Sequence, residues 1–309
     1  MTRPGAVIRR AALKLLASGL AAGTASRAAG ASSPAPRDQT LWYRQPARTW
    51  TEALPVGNGR IGAMVFGGVE RERLQLSEDT LYSGGPYDPV NPGARAALPR
   101  VRELIFAGRF AEAERLADAE VMARPLKQAA YQTLGDLIVT MPQLAGQEVA
   151  DYRRELDLDS AVATTRFRAG GVTYRREVFA SAADQVIVVR LSADRPGRVG
   201  CELGLTTPHA GATVATEGGD TLVLTGRNGP LQDIAGALRF EARLTVTASG
   251  GRTAAAGDRL AVTGADEVTV LIALATSFRR FDDVSGDPAE RTRAEVARRR
   301  TREADAPRP

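Results

Sequence analysis

The amino-acid sequence predicts a mainly β protein, a large antiparallel β-sandwich interrupted by one short helical pair. Many short segments alternate apolar and polar residues, and glycine pairs or Asn-Gly separate them. Short strands at regular spacing, without helices alternating between them, are typical of a sandwich rather than of βαβ units. With 309 residues, the chain is long enough for one large β domain or two ordinary domains.

The first predicted element is a β-hairpin that turns at Asn58-Gly59. Residues 57–62 read GNGRIG, which matches the G-x-G-x-x-G pattern of a dinucleotide site. Such a site needs a helix that opens on the third glycine, because the helix N-terminus binds the pyrophosphate. Here the apolar residues 63–66 and a glycine pair follow instead. Asn-Gly between apolar segments is a strong hairpin signal, so we exclude the nucleotide site.

Further along the chain, the sequence predicts a helical pair and then more strands. Leu98–Ala107 and Arg109–Met122 each carry an apolar stripe at helical spacing, and Gly108 separates them. We expect this pair to pack on the sandwich. Two later segments are continuously apolar and predict strands buried on both faces, whereas four others alternate. The first two are Val186–Val189 and Val268–Leu274; the four are Thr164–Arg168, Val172–Phe179, Val199–Leu205 and Leu238–Thr247.

The N-terminal residues 1–31 resemble a signal peptide. Arg9-Arg10 resembles a twin-arginine motif, a short apolar segment follows at 15–23, and Ala29-Gly30-Ala31 is suitable for cleavage. The apolar segment is shorter than the ~20 residues that a membrane span needs. An ordinary Sec signal and an unstructured tail are the alternatives. We therefore expect an exported protein, periplasmic or extracellular and not membrane-bound, with residues 32–40 as a linker.

Charge and composition narrow the possible functions. The formal net charge is +5, but residues 1–37 hold six basic residues and no acid, which leaves 35 basic and 36 acidic residues in the body. A nucleic-acid-binding domain would carry its basic excess on the folded body, so we expect no nucleic-acid partner. Cys201 and His209 are the only residues of their types. They predict no disulfide and no zinc site, and we expect His209 in a surface turn.

The motifs resemble those of glycoside hydrolase family 95, the secreted α-L-fucosidases. The resemblance runs from about residue 41 to 288, and residues 77, 82 and 133 are Ser, Tyr and Thr where we would expect Asn, Trp and Pro. The matching segments, in chain order, are WTEALPVGNGRIGAMVFGGV (50–69), LQLSEDTLYSGGP (74–86), YQ (131–132), LGDL (134–137), DYRRELDL (151–158), REVFAS (176–181), FEAR (240–243) and ATSFRRFDD (275–283).

The resemblance implies an N-terminal β-sandwich domain at 41–286. It also implies inverting hydrolysis of terminal α-L-fucosyl linkages in fucosylated oligosaccharides, with no cofactor. In the family, the catalytic carboxylates lie in an (α/α)6 barrel that follows a helical linker. Residues 287–309 correspond to that linker, and we expect the barrel to be absent, so no catalytic residue carries over. The linker has only one large apolar residue, Val296, which predicts a marginal helix.

Glu78-Asp79 is the only acidic pair within a dense motif. Adjacent strand residues point to opposite faces, so the two carboxylates are poorly placed to flank one glycosidic bond. We expect them to cap backbone amides; a role facing the substrate or the barrel is the alternative. The candidate substrate- or barrel-facing residues are Trp50, Asn58, Glu78, Asp79 and Tyr82.

Three aromatic residues, Trp42, Tyr43 and Trp50, raise the question of a sugar-stacking platform. Aromatic residues make up only 5% of the chain, so we expect these three to pack in the core or at a domain interface. We expect the region 50–86 to face the barrel, which predicts an exposed apolar patch when the barrel is missing. A stand-alone carbohydrate-binding module and a purely structural sandwich domain are the alternative functions.

Overall fold

The computed structural model describes residues 39–305, and side chains through Arg299. The predicted signal peptide and most of the predicted linker lie outside these residues. Two antiparallel sheets form the fold. With strands numbered along the chain, the nine-stranded sheet has the spatial order β1 (Thr40–Tyr43), β6 (Val149–Asp157), β7 (Val162–Ala169), β8 (Val172–Ser181), β9 (Val186–Ala193), β16 (Glu267–Thr276), β13 (Arg239–Ser249), β12 (Thr221–Arg227) and β11 (Thr213–Glu217).

The second sheet has seven strands and packs against the first. Its spatial order is β14 (Arg252–Ala256), β15 (Arg259–Ala265), β10 (Val199–Thr206), β5 (Gly135–Thr140), β4 (Arg71–Glu78), β3 (Ile61–Val65) and β2 (Leu54–Gly57). The inward side chains of both sheets form one continuous core that includes Leu74, Leu203 and Phe240. The predicted β-sandwich is confirmed, and each of the six predicted later strands coincides with an observed strand apart from one end residue.

β9 and β16 are buried on both faces, as their continuous apolar sequences predict. On the inner face, residues such as Ile187 and Ile272 join the sandwich core. On the outer face, Val188 and Leu271 contact Val296 of the helix α3 (Pro288–Asp305). The expected marginal helix is therefore covered by the sheet. Two further buried residues of α3, Thr292 and Glu295, are polar, which a search for apolar residues could not reveal.

The helical pair consists of α1 (Ala94–Phe106) and α2 (Phe110–Glu120). α1 begins four residues earlier than predicted and contains Pro99. The buried residues of the pair form a small apolar cluster of their own, rather than an extension of the sandwich core. Within residues 39–305, no helix combines the length and the apolar character that a membrane span needs.

Candidate functional site

The hairpin predicted at Asn58-Gly59 joins β2 to β3. Gly59 has a φ of +94°, which a residue with a side chain rarely adopts. Asn58 Oδ1 accepts hydrogen bonds from the amides of Arg60 and Ile61, both at 3.0 Å, and its Nδ2 donates to the carbonyl of Ser181 at 3.0 Å. Asn58 therefore shapes the turn and fixes it to the other sheet, and a strand follows the glycines where a dinucleotide site would need a helix.

Arg60 extends from this turn into a network of polar groups from distant parts of the chain. Its guanidinium donates to the carbonyl of Leu274 at 2.7 Å, to Gln185 Oε1 at 2.7 Å and to Glu295 Oε1 at 2.9 Å. Glu78 Oε1 lies 3.7 Å from the same guanidinium. We name Arg60, Glu78 and Glu295 the Arg60 centre. It connects the hairpin, β4, β16 and α3.

The two carboxylates of the Arg60 centre are almost fully buried, with Glu78 1% exposed and Glu295 3% exposed. Burial raises the pKa of Glu78. Two hydrogen bonds from Thr80 and the charge of Arg60 partly offset this rise. Burial also raises the pKa of Glu295, and Arg60 opposes the rise. Both groups serve the fold in this geometry, because each faces Arg60 rather than solvent.

Glu78 and Asp79 do not form an acid and base pair for a glycosidic bond. Glu78 is buried, and its Oε2 accepts from the Thr80 amide at 2.8 Å and from the Thr80 hydroxyl at 2.7 Å. Asp79 is exposed on the loop that follows β4. Glu78 therefore caps a backbone amide, as expected from the sequence. An acid and a base for glycoside hydrolysis must both reach the sugar, roughly 5–9.5 Å apart.

An apolar groove of about 300 Å³ begins beside Asp79. We define this aromatic groove by five of its lining residues, Tyr82, Tyr87, Leu238, Phe278 and Phe281. Tyr82 is 43% exposed and Phe281 is 83% exposed. Tyr82 packs edge to face on Tyr131, with ring centroids 5.3 Å apart, and the Tyr131 hydroxyl donates to the Glu78 carbonyl. The groove can hold the apolar face of a sugar ring or of a protein partner.

Asn228 holds the backbone of the aromatic groove in place. Its Nδ2 donates to the carbonyls of Tyr82 at 2.5 Å and Gly84 at 2.6 Å, and its Oδ1 accepts from the amide of Leu238. Gly85 permits this packing, because a Cβ at that position would lie 2.6 Å from the Cβ of Ala237. In the sequence, Asn228-Gly229 indicates only a turn. An Asn at the end of a strand was the only signal for this role. It could not reveal the partners of Asn228, because Tyr82 and Gly84 are far away in sequence.

The structure brings only part of the candidate set together. Asp79 and Tyr82 line the aromatic groove, Glu78 lies behind it, and Asn58 lies in the neighbouring hairpin. Trp50 is 55% exposed in a 3-10 turn and does not line this groove. A substrate-facing or barrel-facing role for these residues stays a prediction.

The expectation of core packing for Trp42, Tyr43 and Trp50 is wrong, because all three are exposed. Trp42 and Tyr43 lie on the edge strand β1, where arginine side chains cover them in part. The guanidinium of Arg153 lies 4.8 Å from the Trp42 ring centroid, and that of Arg154 lies 4.0 Å from the Tyr43 centroid. Packing at a domain interface stays a prediction for these residues.

His209 is buried, which corrects the expectation of a surface turn residue. Its Nε2 lies 2.9 Å from the carbonyl oxygen of Thr133, and its ring packs at 4.9 Å from that of Phe240. Cys201 is buried too, and burial raises the pKa of its thiol to about 12. Among residues 39–305, no three His, Cys, Asp or Glu side chains form a group that could hold a metal ion.

Comparison with known proteins identifies the family to which the chain belongs. Residues 41–280 match the family model described as "Glycosyl hydrolase family 65, N-terminal domain". The chain is 33% identical over 262 residues to "Alpha-L-fucosidase 2" of Arabidopsis thaliana, which covers 78% of this chain and 31% of that protein. It is 32% identical over 244 residues to "Probable alpha-fucosidase A" of Aspergillus niger, which covers 75% of this chain and 29% of that protein.

The chain thus spans about a third of the length of these curated relatives. Among solved structures, it is similar to a "Putative kojibiose phosphorylase from human microbiome". The TM-score is 0.47 and the identity is 10%, over 86% of this chain and 35% of that chain.

Proposed function

The chain belongs to the family of glycosyl hydrolase family 65 N-terminal domains, and from this premise we propose that it is the exported N-terminal domain of an α-L-fucosidase-type enzyme. The expected resemblance to the N-terminal domain of a glycoside hydrolase is confirmed. The names of the two relatives support hydrolysis of terminal α-L-fucosyl linkages, with a fucosylated oligosaccharide as substrate. We extend this to inversion at the anomeric carbon and to independence from a cofactor.

We further propose that the chemistry belongs to a helical catalytic domain that is the partner of this sandwich. Glu78, the carboxylate of the densest motif, is buried against Arg60 and Thr80. It therefore supports the fold rather than a reaction, and the chain alone is inactive in this proposal. The partner domain supplies both the acid and the base that the reaction needs.

The aromatic groove is the observation that carries this assignment. Phe281 is 83% exposed on the segment between β16 and α3, and Tyr82 and Tyr87 are exposed beside it. Exposed apolar side chains that adjoin one another mark an interaction surface more often than a solvated one. A catalytic domain that contacts this groove would bury them.

Dye binding tests whether the groove is a docking surface. We expect the purified chain to bind a hydrophobic dye, and the Tyr82→Ser, Phe281→Ser double variant to bind less of it. Phe106→Ser is the matched control, because Phe106 is 89% exposed but lies outside the groove. Addition of the catalytic region of an α-L-fucosidase relative, as a separate polypeptide, should suppress the dye signal.

A carbohydrate-binding module is the second candidate, and the exposed Tyr82 favours it because aromatic faces stack on sugars. The same variants separate the two functions. A chain that binds fucosylated glycans, loses this affinity in Tyr82→Ser, and gives no dye signal would contradict docking and establish a binding module.

Export is tested by the cellular location of the protein. We expect the unmodified chain outside the cytoplasm, and we expect Arg9→Lys with Arg10→Lys to retain it inside if the twin-arginine route is used. Unchanged export of this variant would identify the Sec route. Cytoplasmic retention of the unmodified chain would contradict export.

A further inference from the structure

The outer face of the nine-stranded sheet has two unlike parts. α3 covers the part formed by β13, β16 and the start of β9, where Val188, Leu271 and Val296 are buried. The part formed by β6, β7 and β8 is bare and carries charged and hydroxyl side chains. An outer sheet face normally mixes both charge signs across neighbouring strands, because like charges directly opposite one another repel. The bare part carries both charge signs, but three of its arginines stand directly opposite one another on neighbouring strands.

Three arginines form one line across the bare part. Arg153 on β6 is the register partner of Arg166 on β7, and Arg166 is the register partner of Arg175 on β8. All three side chains are exposed. Neighbouring strands lie about 4.8 Å apart, so this arginine row presents three guanidiniums along roughly 10 Å. Like charges directly opposite one another across strands cost stability.

The carboxylates near the row pair with its two ends and leave its middle without a salt bridge. Arg153 pairs with Glu155 at 2.5 Å, and Arg175 pairs with Glu177 at 2.7 Å. Asp194 accepts the amide of Thr173 at 3.0 Å, and this hydrogen bond lowers its pKa. Arg166, in the middle of the row, forms no salt bridge within the described part of the chain. A guanidinium has five donors and binds a carboxylate or sulfate through two parallel hydrogen bonds.

The surroundings of the row indicate a carbohydrate rather than another polyanion. The arginines line a shallow cleft of about 590 Å³ together with the carboxylates of Glu155 and Asp194. Thr164, Thr173 and Ser192 also line it, and their hydroxyls can bond to sugar hydroxyls. Trp42 adjoins Arg153 at the end of the row and is 45% exposed. A nucleic acid would need a broad basic surface, but residues 38–309 hold 35 basic and 36 acidic residues.

We propose that the arginine row binds an acidic polysaccharide, whose carboxylate or sulfate groups pair with Arg153, Arg166 and Arg175. The site is separate from the aromatic groove, and it does not depend on which reaction the partner domain catalyses. It would hold the protein on an anionic glycan chain. No bond is made or broken in this step.

Calorimetric titration of the full chain tests the proposal. The ligands are polygalacturonate, which carries carboxylates, and dextran sulfate, which carries sulfate esters, with neutral dextran as the blank. We expect binding to at least one acidic polymer and none to neutral dextran, and the tighter of the two identifies the anionic group. Binding should weaken as salt is added, because exposed charges are screened.

Substitutions locate the binding on the row. Arg166→Gln should weaken binding about two- to fivefold, the contribution of one exposed ion pair. The triple variant with Arg153→Gln and Arg175→Gln should weaken it about tenfold or more. Arg252→Gln is the matched control, an exposed strand arginine on the seven-stranded sheet, and should leave the affinity within about twofold. The six basic residues in 1–37 are common to all variants, so the ratios isolate the row.

Three results would overturn the proposal. The first is an unchanged affinity in Arg166→Gln, which remains informative even if the triple variant does not fold. The second is an equal loss of affinity in Arg252→Gln. The third is binding of single-stranded DNA at least as tight as that of both acidic polysaccharides, which would assign the row to a different class of macromolecule.

Discussion

The Arg60 centre and the arginine row use the same side chain in opposite ways. In the Arg60 centre, one guanidinium meets two buried carboxylates and a backbone carbonyl. In the arginine row, three guanidiniums stand side by side in solvent. The outer two pair with partly exposed carboxylates, and the middle one has no salt bridge within residues 39–305. Desolvated charges must be paired in the folded chain, whereas solvated ones need not be.

This difference separates structure from function in the molecule. In the Arg60 centre, Arg60 and Glu78 come from the matching segments 50–69 and 74–86, Glu295 comes from α3, and the two carboxylates face the guanidinium. The row crosses three neighbouring strands, and its side chains are exposed to solvent. The motif therefore builds the fold, and the unpaired surface charge is available for a ligand. Substitutions in the Arg60 centre and in the row should therefore differ in their effects on unfolding.

The largest expected effect is that of Arg60→Met. It leaves Glu78 and Glu295 buried without their shared cation, and loss of one partner of a buried ion pair costs about 3–5 kcal/mol. Arg60 itself is 22% exposed, so we expect the lower end of that range. Urea unfolding measures the change. Arg60→Lys keeps the positive charge but loses the planar guanidinium, so its loss of stability should lie between zero and that of Arg60→Met. A loss below about 1 kcal/mol would contradict the role of Arg60.

The polar contacts of the Arg60 centre also show where sequence analysis stops. Alternation predicts β8 and β10 because one face of each strand meets an apolar core. Nothing in residues 288–305 indicates that Glu295 is buried, because its partner Arg60 is 235 residues away. Likewise, Thr292 is buried because it donates to Glu241 at 2.5 Å, 51 residues away.

The aromatic residues show a second limit. A sandwich core was expected to use its aromatic residues first, which predicted Trp42 and Trp50 in the core or at a domain interface. Most of the largest fully buried side chains are aliphatic instead. The hairpin at Asn58-Gly59 was predictable because its turn geometry is set by two adjacent residues. The aromatic groove was not, because Tyr82, Leu238 and Phe281 come together only through the pairing of distant strands.

A smaller effect is expected for Glu295→Gln, and it depends on pH. Burial raises the pKa of Glu295 above its ordinary value of 4.5, so the folded state keeps its proton to higher pH than the unfolded state does. Below pH 4.5 this contribution to stability is fully present, and it is lost as pH rises through the folded pKa. From pH 4 to pH 7, the unfolding free energy of wild type should therefore fall relative to that of Glu295→Gln.

Glu112 is the control for this prediction. A hydrogen bond from Arg109 lowers the pKa of Glu112, so its contribution is present above the ordinary pKa and is lost as pH falls. The comparison of wild type with Glu112→Gln should therefore give the opposite sign. If wild type instead gained stability relative to Glu295→Gln as pH rises, the pairing with Arg60 would outweigh the effect of burial on the pKa of Glu295.

The smallest effect on unfolding is expected for Arg166→Gln. Arg166 is exposed and lies between two other arginines, so its removal relieves repulsion and costs no buried contact. The free energy of unfolding, measured by thermal denaturation, should change by less than about 0.5 kcal/mol, and any change should be stabilising. A destabilisation above about 1 kcal/mol would indicate a structural arginine and weaken the contrast with Arg60.

The central claim is that the buried carboxylate of Glu78 holds the fold and performs no catalysis. Turnover of a 2′-fucosylated oligosaccharide by the purified chain tests it most directly, with Glu78→Gln measured beside wild type. We predict no release of fucose by either protein and a change in unfolding free energy only. Measurable release by wild type that Glu78→Gln abolishes, while the variant stays folded, would contradict the claim and place the chemistry in the loop after β4.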